Sequence, residues 1–174
     1  MNPKAEALVR VGLIGVVSGL RSQWGMAAVS WTAEPPTAPS AVRALLSRPW
    51  VRGGTLAAAA GELVADKSPY NPSRLTAAGL GPRLVLGAAA GAALSQSRRE
   101  GVSAATAAAV GASAALASAL AGARWRRAAE AFSRTGAVAA VAEDIVAAVL
   151  AWAAYTSYIT RPPQTGGGVS SLLP

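Results

Sequence analysis

The fold of this chain is decided by residues 84–123, which read LVLGAAAGAALSQSRREGVSAATAAAVGASAALASALAGA. Two long apolar runs rich in alanine and glycine are separated here by the short charged stretch Arg98-Arg99-Glu100. A helix needs about 20 predominantly apolar residues to cross the ~30 Å hydrocarbon core of a bilayer. Because so short a connection returns the second run beside the first, the stretch predicts an antiparallel pair of transmembrane helices, at residues 75–96 and 101–123.

Three further apolar runs predict membrane segments outward from this pair. Residues 8–31 form the first segment, which Arg21 interrupts, and residues 136–158 form the last. Residues 53–65 are fewer than the ~17 that a perpendicular span needs, so the second segment either borrows the preceding residues or re-enters the membrane. The sequence therefore predicts an all-α polytopic transmembrane helix bundle of about five membrane segments. One domain is expected over residues 1–160, followed by a disordered Pro- and Gly-rich tail at 161–174.

The first apolar run has an alternative interpretation as a cleavable signal peptide. Lys4 and Arg10 precede it, as a charged region precedes the apolar core of such a peptide. The run resumes after Arg21 without a clear small-residue cleavage site, which favours a helix retained in the protein.

Composition agrees with a membrane location. Hydrophobic residues make up 52% of the 174-residue chain and charged residues 14%, and most charges form short clusters between the apolar runs. The formal net charge is +8, but the arginines punctuate apolar runs instead of gathering on one face with stacking aromatics. This pattern argues against a nucleic-acid partner and favours contact with lipid headgroups. The absence of Cys and His removes disulfides, thiol nucleophiles and imidazole catalysis.

The basic residues also predict an orientation. With five crossings, Lys4, Lys67 and Arg124 share one side of the membrane, and that side collects more Lys and Arg than the other. By the positive-inside rule this is the cytoplasmic side, so the N-terminus is expected in the cytoplasm of a multi-pass inner-membrane protein. A re-entrant second segment would change the count.

Glycine spacing predicts close helix packing. Lipid tails are as apolar as leucine, so helices in a bilayer associate through close van der Waals contact, which small residues permit. Two segments repeat glycine at the four-residue spacing that places both on one helix face, and a fifth glycine interrupts the alanines of the fourth segment. The residues are Gly15, Gly19, Gly87, Gly91 and Gly111.

A few ionisable residues fall within or beside the predicted segments, where a charge costs about 2.5–3.5 kcal/mol on insertion scales and usually faces the bundle interior. The expected arrangement pairs Arg21 with Glu62 or Asp66 and turns the acids of the last segment toward the same interior. Three interpretations stay open: the pairs lock the bundle, they form a polar site, or the spans are misplaced and the acids lie at the interface. The predicted intramembrane polar site consists of Arg21, Glu62, Asp66, Lys67, Glu143 and Asp144.

A weak internal similarity predicts an inverted repeat. Residues 18–21 end the first half-run much as residues 121–124 end the fourth segment, and an acidic pair follows each. With five crossings, the first and fourth segments would run in opposite directions, as an inverted repeat requires.

The motifs Gly19-Leu20-Arg21, residues 62–69 (ELVADKSP) and Glu143-Asp144 resemble an uncharacterised family of small bacterial integral membrane proteins, described as a domain of unknown function. The resemblance extends from about Val11 to Trp152, and the E-L-x-A-D-K-x-P stretch is its most specific part. It implies a polytopic membrane fold and one site formed by the six ionisable residues, but it implies no activity.

Two functions follow as hypotheses. The first is a small transporter or lipid-handling protein, expected to form a homo-oligomer in contact with membrane lipids. The second is a non-catalytic accessory subunit packed against a larger membrane protein complex. A metal-dependent membrane hydrolase would need carboxylates around a cation such as Mg²⁺, yet neither ligand spacing nor a nucleophile motif is recognisable. We therefore expect no enzymatic activity, no cofactor and no metal.

Overall fold

The computed structural model describes residues 2–33, 41–65, 76–98, 101–132 and 137–159, and the regular structure of these residues is entirely α-helical. The all-α prediction is confirmed for this part of the chain. Its helices are α1 (Pro3–Leu20), α2 (Ser22–Thr32), α3 (Ala41–Leu46), α4 (Pro49–Ala65), α5 (Ala77–Arg98), α6 (Ala104–Phe132) and α7 (Ala137–Ile159). The predicted disordered tail lies outside the described residues.

Two of the described helices are long and apolar enough to cross a membrane, Ala77–Gln96 of α5 and Ala104–Ala129 of α6. They are the pair that residues 84–123 predict. Length and apolarity thus support two of the five predicted spans.

Helices α5 and α6 run antiparallel and approach through their glycines. A Cβ atom added at Gly87 would lie 2.8 Å from the Cβ of Ala115, and one added at Gly91 would lie 2.5 Å from the carbonyl oxygen of Ala107. A Cβ at Gly111 would clash with the backbone of Gly87. Small residues on both helices therefore set how closely the two backbones approach.

Helix α1 runs parallel to α6, and the order of the contacts along both helices establishes this direction. From one end to the other the contacts are Lys4 with Gly101, Gly15 with Gly111, and Gly19 with Ala115. An inverted repeat requires the opposite relation between the first and fourth segments, so this prediction is wrong for α1 and α6. Residues 124–127 also lie at the opposite end of the bundle from Lys4, so the count behind the predicted orientation no longer applies.

The parallel direction follows from a sharp reversal of the chain at Arg21. The backbone of Arg21 is extended, with φ −137° and ψ 108°, and separates α1 from α2. A Cβ added at Gly25 of α2 would lie 3.0 Å from the carbonyl oxygen of Ile14 in α1. Those two residues would be about 16 Å apart along one straight helix. The first predicted segment is therefore two helices folded against each other.

Helix α6 extends beyond the fourth predicted segment, which ends at residue 123. Helix α6 continues through Arg124, Arg126 and Arg127 to Phe132. Alanine and arginine are strong helix formers, and no Gly or Pro interrupts the sequence between Arg124 and Phe132, so the helix has no local reason to end earlier. Arg134 lies outside the described residues.

The apolar core lies where α1, α2, α5 and α6 meet. Val11 and Ile14 of α1 are buried there with Val29 of α2, beside Leu94 of α5 and Ala107 of α6. Many of the larger apolar side chains are exposed instead, on α4, α6 and α7 as well as at Trp31 of α2. The interior is thus made largely of small side chains, and much of the exterior of larger apolar ones.

Replacing Gly111 by alanine should destabilise the fold, because the new methyl group would meet the backbone of Gly87 and force α5 and α6 apart. We expect a loss of roughly 1–3 kcal/mol in the free energy of unfolding. The matched control is Gly61→Ala, where a Cβ meets nothing within 4 Å. This control should be neutral or stabilising by up to about 1 kcal/mol through helix propensity. Thermal unfolding in detergent measures both, and equal melting temperatures would contradict the proposed packing.

Candidate functional site

The reversal at Arg21 places its guanidinium group against the last helix. The Nε atom of Arg21 donates to Oδ1 of Asp144 at 2.6 Å, and Nη2 contacts the same oxygen. The Arg21 side chain is only 2% exposed, whereas that of Asp144 is 30% exposed. Arg21 is thus hidden behind Asp144. The sequence offered Glu62 or Asp66 as its partner, and a pair with Asp66, which lies outside the described residues, stays a prediction.

Glu62 of α4 instead holds the beginning of α2. Its Oε1 accepts hydrogen bonds from the backbone N–H of Ser22 at 2.7 Å and from the Ser22 hydroxyl at 2.8 Å. Its Oε2 accepts from the N–H of Gln23 at 3.0 Å. The first N–H groups of a helix have no partner within the helix, and the helix dipole favours a negative charge beside them. Glu62 therefore acts as an N-cap supplied by another helix.

Helix α4 also holds the other end of α2. The Nε atom of Arg52 donates to the carbonyl oxygen of Ser30 at 3.1 Å, and Nη2 donates to that of Ala33. Between the two ends, the hydroxyl groups of Ser30 and Thr55 are hydrogen-bonded at 2.8 Å. Helices α2 and α4 therefore lie antiparallel, with an acid of α4 at the positive end of the α2 dipole and an arginine of α4 at its negative end.

Arg83 of α5 joins these contacts, although it was not among the predicted site residues. Its Nε donates to the carbonyl oxygen of Gly19 at 3.1 Å and its Nη1 to that of Gly79 at 2.6 Å. Its Nη2 lies 3.8 Å from Oε1 of Glu62. The Arg83 side chain is buried. Its contacts connect the end of α1 with the Glu62 carboxylate, which holds the beginning of α2. The sequence feature that could have identified Arg83 as a site residue is its position directly after Pro82, at the start of an apolar run.

A second ion pair joins α6 to α7. Both Nε and Nη2 of Arg126 donate to Oε2 of Glu143, at 3.0 Å and 2.9 Å. The Glu143 side chain is 4% exposed and that of Arg126 is 29% exposed, so the carboxylate is buried behind the arginine. Arg126 lies beyond the predicted end of the fourth segment, and its contact with Glu143 became visible only because α6 continues past Ala123.

These residues form one ionic cluster, defined as Arg21, Glu62, Arg83, Arg126, Glu143 and Asp144. The cluster lies near the end of the bundle where α1 ends and α2 begins, rather than midway along the helices. The structure thus brings four of the six predicted site residues to this end: Arg21, Glu62, Glu143 and Asp144. Asp66 and Lys67 lie outside the described residues, so their place in the site stays a prediction. No group of three or more acidic residues within the described ranges is arranged to hold a metal ion.

An apolar groove lies beside the ionic cluster, between α2, α4 and α7. Its volume is about 530 Å³, and its walls carry Trp24 and Trp31 of α2, Leu56 and Leu63 of α4, and Trp152 of α7, with alanines between them. Trp24 is one helical turn from Arg21, and Leu63 directly follows Glu62. The ionic cluster therefore lies at one end of the groove, and the contacts of Arg52 with the end of α2 lie at the other.

Comparison with known proteins identifies the family. Residues 8–159 match the family model described as a domain of unknown function, DUF4126. The match covers most of the chain, so the protein belongs to this family, and the resemblance noted in the sequence is confirmed. No curated protein and no solved structure matches the chain.

Replacing Glu62 by alanine should free the beginning of α2, because three donors lose their acceptor together. Hydrogen bonds to a charged group contribute about 1.5–3 kcal/mol, so the loss of stability should be of that order or larger. Ser22→Ala removes one of the three donors and is the matched control. Hydrogen exchange at the amides of Ser22 and Gln23 should accelerate strongly in Glu62→Ala and little in Ser22→Ala. Unchanged protection in Glu62→Ala would show that the carboxylate does not hold α2.

Proposed function

We propose that this member of the DUF4126 family is a multi-pass membrane protein whose ionic cluster forms a polar site, and that it acts as a small transporter or lipid-handling protein. The site would bind a substrate headgroup, an ion or a proton. No catalytic residue and no cofactor form part of this proposal.

One observation carries the proposal: the helix is broken at Arg21 and the new helix end is held by a carboxylate. Discontinuous helices are a recurring device of secondary transporters, in which the ends of half-helices bind substrate groups and coupling ions. Here Glu62 occupies the positive end of α2, and the Arg21–Asp144 pair lies beside it. Ionic side chains that stabilise such an interruption of a helix can exchange their partners when a proton, an ion or a headgroup binds.

The surroundings of the cluster support a membrane setting. Apolar side chains such as Val141, Ile145 and Val149 of α7 are more than half exposed, as is Trp152. In water such a surface would be costly, whereas lipid tails accept it. Together with the two helices that are apolar enough to cross a bilayer, this exterior favours a bundle embedded in lipid.

The proposed topology takes the five longer helices, α1 and α4 to α7, as membrane segments. Helix α2 has 11 residues, about 16 Å, and is too short to cross alone. The element that turns back is therefore α2 rather than the second predicted segment, whose residues lie in the 17-residue α4. Location in a bacterial inner membrane and assembly as a homo-oligomer remain parts of this proposal. A cytoplasmic N-terminus stays a prediction from the sequence, because the count of Lys and Arg that favoured it assumed a different order of crossings.

Labelling of single cysteines tests the topology, because the chain has no natural cysteine. With α1 parallel to α6, Asn2→Cys and Ser103→Cys should react with a membrane-impermeant thiol reagent from the same side. Arg127→Cys should react from the other side. All three positions are exposed. Reaction of Asn2→Cys and Arg127→Cys from one side would instead support the original five-crossing arrangement.

Reconstitution into liposomes tests the transport function. Proton-flux and lipid-flip assays should show an activity that Arg21→Gln and Glu62→Gln reduce at least about tenfold, since both remove a charge from the polar site. Arg127→Gln, at an exposed arginine of α6, is the control and should retain the activity. Melting temperatures of the variants separate lost folding from lost transport. Folded variants with flux equal to that of the unchanged protein would mean that the ion pairs only lock the bundle.

The second candidate function is that of a non-catalytic accessory subunit. The exposed apolar stripe Val141, Ile145, Val149 and Trp152 on α7 favours it, because a partner helix can cover such a stripe as well as lipid can. Purification from native membranes in mild detergent separates the two functions. A defined partner at fixed stoichiometry, together with no flux from the isolated protein, would support the subunit.

A further inference from the structure

We infer that the apolar groove between α2, α4 and α7 binds one acyl chain of a membrane lipid whose headgroup carries a primary ammonium group, which has N–H donors that a choline headgroup lacks. This inference deepens the proposed function and rests on it for the membrane setting. It names the class of ligand that the ionic cluster and the groove would take together.

The lining of the groove selects the tail of the ligand. On α2 the lining residues Trp24, Ala27, Ala28 and Trp31 follow the three- and four-residue spacing of one helix face. The lining residues of α4 repeat this spacing from Leu56 to Leu63. All the side chains are hydrocarbon or aromatic, and the indole N–H of Trp24 is directed to the carbonyl oxygen of Ala59 at 3.4 Å. An aliphatic chain is therefore the ligand that loses no hydrogen bond on entering.

The size of the groove agrees with one chain. Its volume of about 530 Å³ lies within the range of ligand sites in proteins, roughly 300–1,000 Å³. Helices α4 and α7 do not contact each other among the described residues, so the groove is open along that side and a lipid chain can enter it there. The groove is therefore better matched to a flexible chain than to a protein segment.

The charge at the end beside the ionic cluster selects the headgroup. Asp144 precedes Ala151 of the groove by seven residues, so the two lie on the same face of α7, about 10 Å apart. Asp144 is 30% exposed, while its partner Arg21 is 2% exposed. The contacts of Arg21 Nε and Nη2 with Asp144 fall on Oδ1. The part-exposed Arg126 contacts Glu143, which lies about 100° round α7 from Asp144. On the groove face of α7 a headgroup therefore meets the carboxylate of Asp144, and a primary ammonium group is the complementary charge.

Tryptophan fluorescence gives a direct test, since three of the five tryptophans line the groove. In a Trp50→Phe/Trp125→Phe background, the protein is placed in phosphatidylcholine nanodiscs. These contain increasing fractions of phosphatidylethanolamine, phosphatidylglycerol or phosphatidylcholine with brominated acyl chains. Brominated phosphatidylcholine gives the quenching due to bulk lipid. We expect half-maximal quenching by the ethanolamine lipid at an about fivefold lower mole fraction than by the glycerol lipid, the ratio expected from a part-exposed charge pair.

Two variants separate the tail from the headgroup. Ala60→Phe fills the groove and should remove the saturable quenching, whereas Ala58→Phe, on the opposite face of α4, should leave it unchanged. Asp144→Asn should remove the preference for the ethanolamine lipid. If Asp144→Asn fails to fold, Asp144→Glu and the two alanine variants still decide the matter, because Asp144→Glu should retain the preference.

Several outcomes would overturn the inference. Equal quenching by the three lipids, equal behaviour of Ala60→Phe and Ala58→Phe, or a preference for phosphatidylglycerol would each do so. Protection of the tryptophans that grows with protein concentration would assign the groove to a second copy of the chain. The quenching assay measures lipid binding and not transport, so the two proposals can fail separately. A preference for the ethanolamine lipid, in a protein that shows no flux in the liposome assay, supports this inference and refutes the transporter. Flux that depends on Arg21, without any lipid preference, does the reverse.

Discussion

The carboxylate of Glu62 on the first turn of α2 is the interaction on which the rest of the site depends. A helix that is interrupted inside a bundle exposes N–H groups that nothing in the helix itself can satisfy, and burying them unpaired is costly. Glu62 satisfies the amides of Ser22 and Gln23 together with a hydroxyl. The chain can therefore reverse at Arg21 only when α4 lies beside α2 and supplies this carboxylate.

The same principle accounts for the arginines. The last carbonyl groups of a helix lack donors, and cations are favourable beside them. Arg83 supplies a donor to Gly19 near the end of α1, and Arg52 supplies donors to Ser30 and Ala33 at the end of α2. Glu62 thus stands at a helix beginning, and Arg83 and Arg52 stand at helix ends. The positive charge of the chain is consequently used in part to complete the backbone hydrogen bonding of broken helices.

The sequence was sufficient for the features that depend on local pattern. Long Ala- and Gly-rich runs joined by Arg98-Arg99-Glu100 predicted the α5–α6 pair, and these helices meet at Gly87 and Gly91. The contact between Arg21 and Asp144 could not be found in this way, because Asp144 lies 123 residues further along the chain. The pairing is set by how α1 and α7 pack, which periodicity does not encode.

The direction of α1 relative to α6 was mispredicted for a physical reason. An arginine within an apolar run is costly to place in a membrane. The chain can compensate with an opposite charge while the helix stays straight, or it can turn back at the arginine. The sequence supported the first solution, and the structure adopts the second at Arg21. The continuation of α6 through Arg124 shows the opposite case, in which a cluster of basic residues favours helix rather than ending it.

The antiparallel arrangement of α2 and α4 has a mechanical consequence. Both termini of α2 are neutralised by side chains of a single neighbour, so the two helices carry their compensating charges with them. Displacing them as one rigid body would leave these internal contacts intact, but it would separate Glu62 from Arg83 of α5. In a medium of low dielectric constant, where isolated charges are heavily penalised, both ends of α2 would keep their compensating charges during such a movement, and the loss of the Glu62–Arg83 contact would oppose it.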